Sequence, residues 1–592
     1  MVGFPKMLFI FLLLICLGSH TESVASNHRY KKGDIVPFYA SKVGPYFNPQ
    51  EAYAYYDFPY CSPDTILEKK QTLGEMLDGD RLVSTPYQLE FLVDKDIRVI
   101  CNKTLTKTDV SHFRSVIEKD YFIQLYYDDL PVWSFIGSVF ATRDYTYERI
   151  KNKYFLFKHV HFDVAYNEDR VIMVNLTTDS LVDLTEDKEV VVDFKYSVKW
   201  LATGKSFDER MDIYIDYAFL HRTSLHRHSI TYSSVTIFIL IICFLTFYAL
   251  VLHKDIFKNS HDVEEDQVAD NEETGWKKIH GDVFRFPKHK SLLAAAFGSG
   301  THLLLLIVSI LVLGHMGYFQ PYARGIFWNA LVIAYVVTSV VSGYTSVSFY
   351  SQLEGTTWMK NLLLTGGLYI GPLFLAFGFL NTIAISNRAT AAVPLEAIVI
   401  LSLIWIFFAS PLLLLGGFVG KNNTYNFRAP CRTSKCPREV PRLRWYRGLL
   451  PQMALAGILP FSVVYVQIYY IFATVWGHRV YTLYGILLVV FSLLLIITAL
   501  VSVALTYFQL AAEDHQWWWR SFFCGGSTGL YIYGYCIYYY FWMSNMNGLL
   551  QTSFFFGYMA CVSYGIFLVL GSVGFRASLL FVQYIYAAIK SD

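Results

Sequence analysis

From Ser291 to Gly574 the chain is a succession of apolar runs. They are Ser291–Leu313, Ile326–Val347, Leu362–Ala384, Leu395–Phe418, Leu450–Ala473, Tyr484–Leu510, Gly526–Met546 and Ser553–Gly574, with one more upstream at Tyr232–Leu252. Each has about 20 residues or more, the length an α-helix needs to cross roughly 30 Å of hydrocarbon. A membrane β-barrel would show weaker, alternating segments of about 10 residues. The runs are apolar on every face, and a helix pairs its own backbone in lipid, so nine helical spans are expected.

Composition agrees: the 592 residues are 54% hydrophobic and 16% charged, outside the range of ordinary soluble domains. A net charge of +2 offers no electrostatic footing for a nucleic-acid partner. None of the 9 cysteines forms a CxxC pair, so no zinc-site spacing is present, and no metal or cofactor is expected.

Residues 1–25 read as a secretory signal peptide. Lys6 supplies the positive start, Met7–Leu17 is an apolar stretch too short to span, and Ser23-Val24-Ala25 offers small residues for cleavage. Residues 26–228 are then expected in the lumen. Short β-branched and aromatic stretches recur there, at Arg98–Cys101, Tyr121–Tyr126, Val132–Phe140, Tyr154–Val164, Arg170–Leu176 and Glu189–Trp200. Asp128-Asp129-Leu130-Pro131 and Asn167-Glu168-Asp169 read as turns between them. This predicts a mainly-β, sandwich-like domain with some helix. Asn102 and Asn175 head glycosylation sequons usable only in the lumen. Cys61 and Cys101 are the only cysteines of this segment, and both a disulfide and two buried thiols fit them. His221, His226 and His228 read as a basic interfacial collar, and His159 and His161 as structural residues on one strand face.

Residues 229–592 form the membrane part, with residues 253–290 a charged linker and 575–592 a tail. With the first domain in the lumen, cytosolic segments hold 19 Lys and Arg and lumenal connections hold 3, as the positive-inside bias requires. Ser578–Ile589 is apolar but too short for a tenth span, so it is an interfacial helix or an extension of the ninth, and the C-terminus is cytosolic. Gly367–Gly371, Gly416–Gly420 and Gly525–Gly529 are GxxxG spacings that permit close helix approach, within the bundle or to a client helix. Pro372, Pro411 and Pro460 imply kinks. Glu396 and His302 are ionisable residues inside spans and lend a transporter some support. No nucleophile elbow, P-loop, HExxH or paired carboxylates occur, so no catalytic residues are assigned and an enzyme is not expected. Trp517, Trp518 and Trp519 are expected at headgroup depth as an interfacial anchor, with Glu513, Asp514 and Arg520 pairing nearby.

Several blocks together resemble the transmembrane-nine family, also called nonaspanins or endomembrane protein 70 proteins. They are Val43–Glu51 with Tyr55–Cys61, Gly275–Pro287, Pro437–Pro441 with Trp445-Tyr446, and Thr506–Leu510 with Glu513–Phe522. The chain departs from the family pattern at Gln467, where a Glu is usual, and at His226-Arg227-His228-Ser229. The resemblance implies a Golgi and endosomal membrane protein that sorts or localises other membrane proteins, including clients with glycine-rich spans. A small-molecule or ion transporter is the alternative. It also implies that Lys590 and Asp592 form a retention signal read by the COPI coat, with Ser591 a spacer.

Overall fold

The computed structural model describes residues 28–46, 51–144, 149–210, 235, 238–250, 275–319, 325–422, 429–476 and 484–587, less positions 64, 80, 247, 432, 442, 443 and 545. The signal peptide, His221, His226, His228, the acidic half of the charged linker and Lys590–Asp592 lie outside these residues.

The N-terminal part is two five-stranded sheets. The first has β2 (Tyr53–Ala54), β1 (Phe38–Pro45), β5 (Tyr121–Tyr127) and β6 (Leu130–Phe135) in that order, with β3 (Val83–Ser84) also on β1. The second runs β4 (Lys95–Leu105), β10 (Val190–Ala202), β8 (Arg149–Asn167), β7 (Gly137–Asp144), with β9 (Arg170–Asp183) also on β8. Pairing is antiparallel except between β8 and β10. The turns read from sequence close two hairpins. Asp128 and Asp129 both take positive φ (48° and 63°) between β5 and β6, the backbone that suits the right-handed twist of a two-residue hairpin loop. Glu168 (φ 53°) turns β8 into β9.

Two helices complete this domain, and both start at a capping box: α1 (Leu73–Asp78) at Thr72 with Glu75, and α2 (Lys107–Glu118) at Thr106 with Asp109. Val110, Phe113, Val116 and Ile117 of α2 enter a core with Phe38, Tyr127, Leu156 and Phe162 from the two sheets. Cys61 and Cys101 are joined by a disulfide that ties the segment after β2 to β4. Buried Asp128 accepts hydrogen bonds from Tyr30 (2.6 Å) and Arg210 (3.1 Å), fastening both ends of the described domain to the β5–β6 turn.

Among the described residues seven helices are long and apolar enough to cross a membrane: α3 (Lys290–His315), α4 (Ile326–Gln352), α5 (Trp358–Ser386), α6 (Leu395–Asn422), α7 (Leu449–Val475), α8 (Tyr484–Ala511) and α11 (Leu549–Ala587). The run expected at Gly526–Met546 is mostly α10 (Thr528–Trp542), parted at Ser527 from the helix before it, α9 (Trp517–Gly526). Of Tyr232–Leu252, the shorter apolar helix Phe238–Leu250 is described. At about 1.5 Å per residue, 39-residue α11 far exceeds the hydrocarbon thickness, so Ser578 onward continues the last span as far as Ala587. Within α6, Pro411 has no N–H for the carbonyl four residues back, and the ladder widens to a π turn over Trp405–Ala409.

The sheet domain stands on one end of the bundle. Gly74 of α1 lies against the Gly325 carbonyl at the start of α4, so close that a Cβ on either glycine would clash with the other's backbone. Trp328 Nε1 donates to Asp78 (3.1 Å), and Thr390 N, in the α5–α6 connection, donates to the Ala52 carbonyl (2.7 Å). Gln551 of α11 donates to Glu51, which also accepts from Tyr53 and Tyr121 at 2.9 Å each.

Replacing Cys61 and Cys101 with serine is expected to cost the sheet domain about 2–5 kcal/mol. Denaturant unfolding of the full chain in detergent, followed by near-ultraviolet signal, measures it; an unchanged midpoint would contradict the structural role of the bond.

Candidate functional site

The three GxxxG pairs have different surroundings. Gly416 of α6 lies against the Val340 carbonyl of α4, and Gly420 against Tyr344 of the same helix. Gly525 and Gly529 lie against the Leu570 and Ser563 carbonyls of α11. At these four positions any side chain would meet backbone, so the pairs are internal packing surfaces. Gly367 and Gly371 of α5 have nothing within 4 Å of where a Cβ would stand, and neither does Gly378. With the helical period, positions 367, 371 and 378 fall on one stripe. Phe374, 58% exposed, lies on the same face.

What holds α5 while this stripe stays open is a polar cluster behind it. Asn361, fully buried, donates through Nδ2 to Ser346 Oγ of α4 at 2.8 Å. Ser346 Oγ and Thr365 Oγ1 are 2.6 Å apart, and Ser299 of α3 donates to the Thr365 carbonyl at 3.0 Å. Ser291 donates to Asn361 Oδ1 at 3.2 Å. Hydroxyls and amides are favoured between membrane helices because lipid offers their polar atoms no other partner. On the α11 side Tyr564 donates to the Leu368 carbonyl (2.9 Å), and the Tyr369 and Tyr564 rings stack at 6.0 Å.

Next to this cluster is a small cavity of about 20 Å³, lined by Ser299, His302, Tyr335, Thr365, Tyr369 and Trp405 among others. It has room for one water. His302 is buried and donates through Nε2 to the Tyr335 carbonyl (3.0 Å), which uses one of its two nitrogens in packing α3 to α4. Glu396 is exposed in the first turn of α6. The two ionisable residues of the transport reading are therefore in different surroundings, and Glu396 does not line the cavity beside His302. Gln467, the departure from the family's Glu, is buried in α7.

The tryptophan block is packed into the protein. Trp517 and Trp518 are 0% and 2% exposed, and they open the ten-residue helix α9. Their rings stack at 4.6 Å, and Trp517 stacks on Phe575 of α11. Trp517 Nε1 donates to the Val283 carbonyl (2.9 Å) and Trp519 Nε1 to the Lys288 carbonyl (2.8 Å). Only Trp519 keeps a partly exposed ring. The rings serve to clamp the segment before α3 onto the bundle.

That segment is the centre of a cap on the end opposite the sheet domain. Asp282 accepts from Arg285 (2.6 Å) and Ser434 (2.9 Å), and Arg438 pairs with Glu513 (3.2 Å). Arg520 pairs with buried Asp514 (3.1 Å), as the sequence suggested, whereas Glu513 turns to Arg438 and Lys278. Burial alone would raise the Asp282 carboxyl, but the bonds from Arg285 and Ser434 hold it below the usual carboxylate range. Tyr586, near the end of α11, donates to the Trp276 carbonyl (2.5 Å). Nothing in a hydropathy reading marks residues 276–286 as buried; the signal was the aromatic spacing of Trp276, Phe284 and Phe286 inside a charged linker.

Asn102 and Asn175 are exposed on β4 and β9, on one face of the second sheet.

Adding a branched side chain at Gly416 (Gly416→Val) should lower thermal stability in detergent by about 1–3 kcal/mol, the usual cost of overpacking. Gly367→Val should leave it within about 0.5 kcal/mol. Equal effects at the two sites would refute the distinction. Trp517→Ala should cost about 3–5 kcal/mol.

Residues 52–549 match the family model described as Endomembrane protein 70. The chain is 56% identical to Transmembrane 9 superfamily member 4 of Arabidopsis thaliana over the full length of both. It is 40% identical to Transmembrane 9 superfamily member 1 of Bos taurus, over 98% of this chain and 97% of that one. No solved structure matches. A sheet-rich domain on an apolar helical bundle, matched end to end by such relatives, makes this chain a multi-pass membrane protein of the transmembrane-nine, or endomembrane protein 70, family.

Proposed function

We propose that the protein sorts or localises other membrane proteins in Golgi and endosomal membranes, by presenting the open stripe of α5 to client helices. The observation that carries this is the contrast among the glycine pairs. Two are closed by neighbours within the bundle, whereas Gly367, Gly371 and Gly378 face outward with no atom near them. In lipid, where apolar side chains gain nothing by meeting each other, small residues are what let a second helix approach closely. A client with glycine or alanine on one face fits such a stripe. The polar cluster at Asn361 and Thr365 keeps α5 upright without covering it.

In this reading the sheet domain is lumenal, with Asn102 and Asn175 open to glycosylation, and the Asp282 cap is cytosolic. The sheet domain meets Gly325, Thr390 and Gln551, all in connections expected in the lumen, which supports that orientation. Lys590 and Asp592 are the proposed determinant for the COPI coat, and their alanine variants should leave the Golgi for later compartments. Transport of a solute is the rival; of its two candidate residues, His302 lines the small cavity and exposed Glu396 does not.

Gly367→Leu with Gly371→Leu tests the reading. Client proteins recovered by proximity labelling should fall about tenfold, the loss of roughly 1.4 kcal/mol of contact, while melting in detergent is unchanged. Unchanged recovery, with solute flux from reconstituted protein that is lost on Glu396→Gln, would favour transport.

A further inference from the structure

The outer face of the second sheet carries a row of polar groups in the middle of three strands. On β8, His159, His161 and Asp163 alternate onto one side. Asp179 of β9 is in register with His159, and Ser197 of β10 with His161. The resulting chain of contacts is continuous. Asp179 Oδ1 lies 2.5 Å from His159 Nδ1, His159 Nε2 lies 2.9 Å from Ser197 Oγ, Ser197 Oγ lies 2.6 Å from His161 Nδ1, and His161 Nε2 lies 3.2 Å from Asp163 Oδ1. His159 and Ser197 are each 7% exposed.

A serine between histidines backed by carboxylates suggests a nucleophile. Here the hydroxyl lies mid-sheet, buried and held between the two rings, so its part is that of a bridge.

Counting hydrogens shows what the bridge requires. Four contacts need four hydrogens. An ionised carboxylate only accepts, so the outer nitrogens, His159 Nδ1 and His161 Nε2, must both carry hydrogen. A neutral imidazole has one N–H, so the two inner nitrogens are then both acceptors. They face a single hydroxyl, which can serve one of them. With both rings neutral there are three hydrogens for four contacts. One added proton, on the inner nitrogen of either ring, completes the chain: Ser197 accepts from that ring and donates to the other. A second added proton would leave the serine hydrogen without an acceptor in the chain.

We propose that Asp179, His159, Ser197, His161 and Asp163 form a binding site for one proton, which fastens β8, β9 and β10 together and loosens them when it leaves. The charged groups facing the site are Asp163 on β8, Asp179 on β9, and Lys195, Lys199 and Asp193 on β10. From β4, beyond β10, the residue in register with Lys195 is Val99. Two carboxylates beside one imidazolium leave the row itself one negative charge, with a lysine from β10 opposite His159 and another opposite Asp163. Histidine changes charge between about pH 5 and 8, the interval that separates neutral from acidic compartments. Only the assembled row gains a hydrogen bond from the proton. That contribution is therefore present at the acid end and is lost as pH rises.

The full-length protein in detergent tests this by amide exchange of peptides covering residues 155–200, corrected for the intrinsic pH dependence of exchange. Wild type should exchange about fivefold more slowly at pH 5.5 than at pH 7.5, the factor one net hydrogen bond supplies. Ser197→Ala removes the shared hydroxyl and should abolish the difference. His161→Gln offers an amide that both donates and accepts without titrating, and should keep the strands protected at both pH values. Equal exchange of wild type at the two pH values overturns the proposal. So does a wild-type pH response in Ser197→Ala, or, if that variant does not fold, in His161→Gln.

Discussion

Hydrocarbon gives apolar helices no hydrophobic reason to associate, so what holds this bundle is backbone approach at small residues and hydrogen bonds between helices. Gly416 and Gly420 bring α6 onto α4, and Gly525 and Gly529 bring α9 and α10 onto α11. Gly300 of α3 lies against the Leu568 carbonyl of α11, and Ser572 donates back to the Ala296 carbonyl (3.3 Å). α11 thus meets α3, α9 and α10 at once, and 18 of its 39 residues are buried. α5 and α6 are the reverse, with most of their apolar surface turned outward. Their attachment depends on a few polar side chains and, for α6, on two glycines.

The ends of the bundle follow a different rule, because there water competes for every hydrogen bond. The sheet domain is joined through backbone groups and two carboxylates: Asp78 accepts from Trp328, and Glu51 gathers two tyrosines and Gln551. At the opposite end, charged pairs hold the surface of the cap while tryptophan and tyrosine fill its interior. Arg520–Asp514 and Arg285–Asp282 each have one partner nearly buried, so breaking either would strand a carboxylate away from water. That places the cost of disruption in the cap, close to the starts of α3, α7 and α9.

The sequence announced the spans because length and all-round apolarity leave helices no rival in lipid. It announced the hairpins at Asp128-Asp129 and Glu168-Asp169 for an equally local reason: those turns need residues that tolerate positive φ. It did not show that Trp517 and Trp518 are interior. A tryptophan at a membrane boundary and one stacked on Phe575 look alike until the partner, about 60 positions away in the chain, is known. The same limit applies to the glycines. GxxxG states that close approach is possible and is silent on whether a neighbour takes it up, so Gly367 and Gly416 read identically and differ only in the fold. His159 and His161 were legible as one strand face. The serine between them comes from β10, which lies beside β8 only through a parallel, nonlocal pairing.

That pairing also decides how far a change at the polar row reaches. β8 is the spine of the second sheet, bonded to β9 along one edge and to β7 and then β10 along the other. The groups that join the sheet domain to the bundle, at Glu51, Ala52, Gly74 and Asp78, belong to the region around β2 and α1, not to the second sheet. Between the two lies the shared core of Phe38, Tyr127 and Phe162, whose rings meet edge-on at 5.4 and 5.6 Å. Interiors packed this closely transmit displacement but resist it. A small loosening at the outer face is therefore absorbed by strand pairing before it reaches the membrane. The outer sheet can alter its own surface, where Asn102 and Asn175 lie, while the seat on the bundle stays fixed.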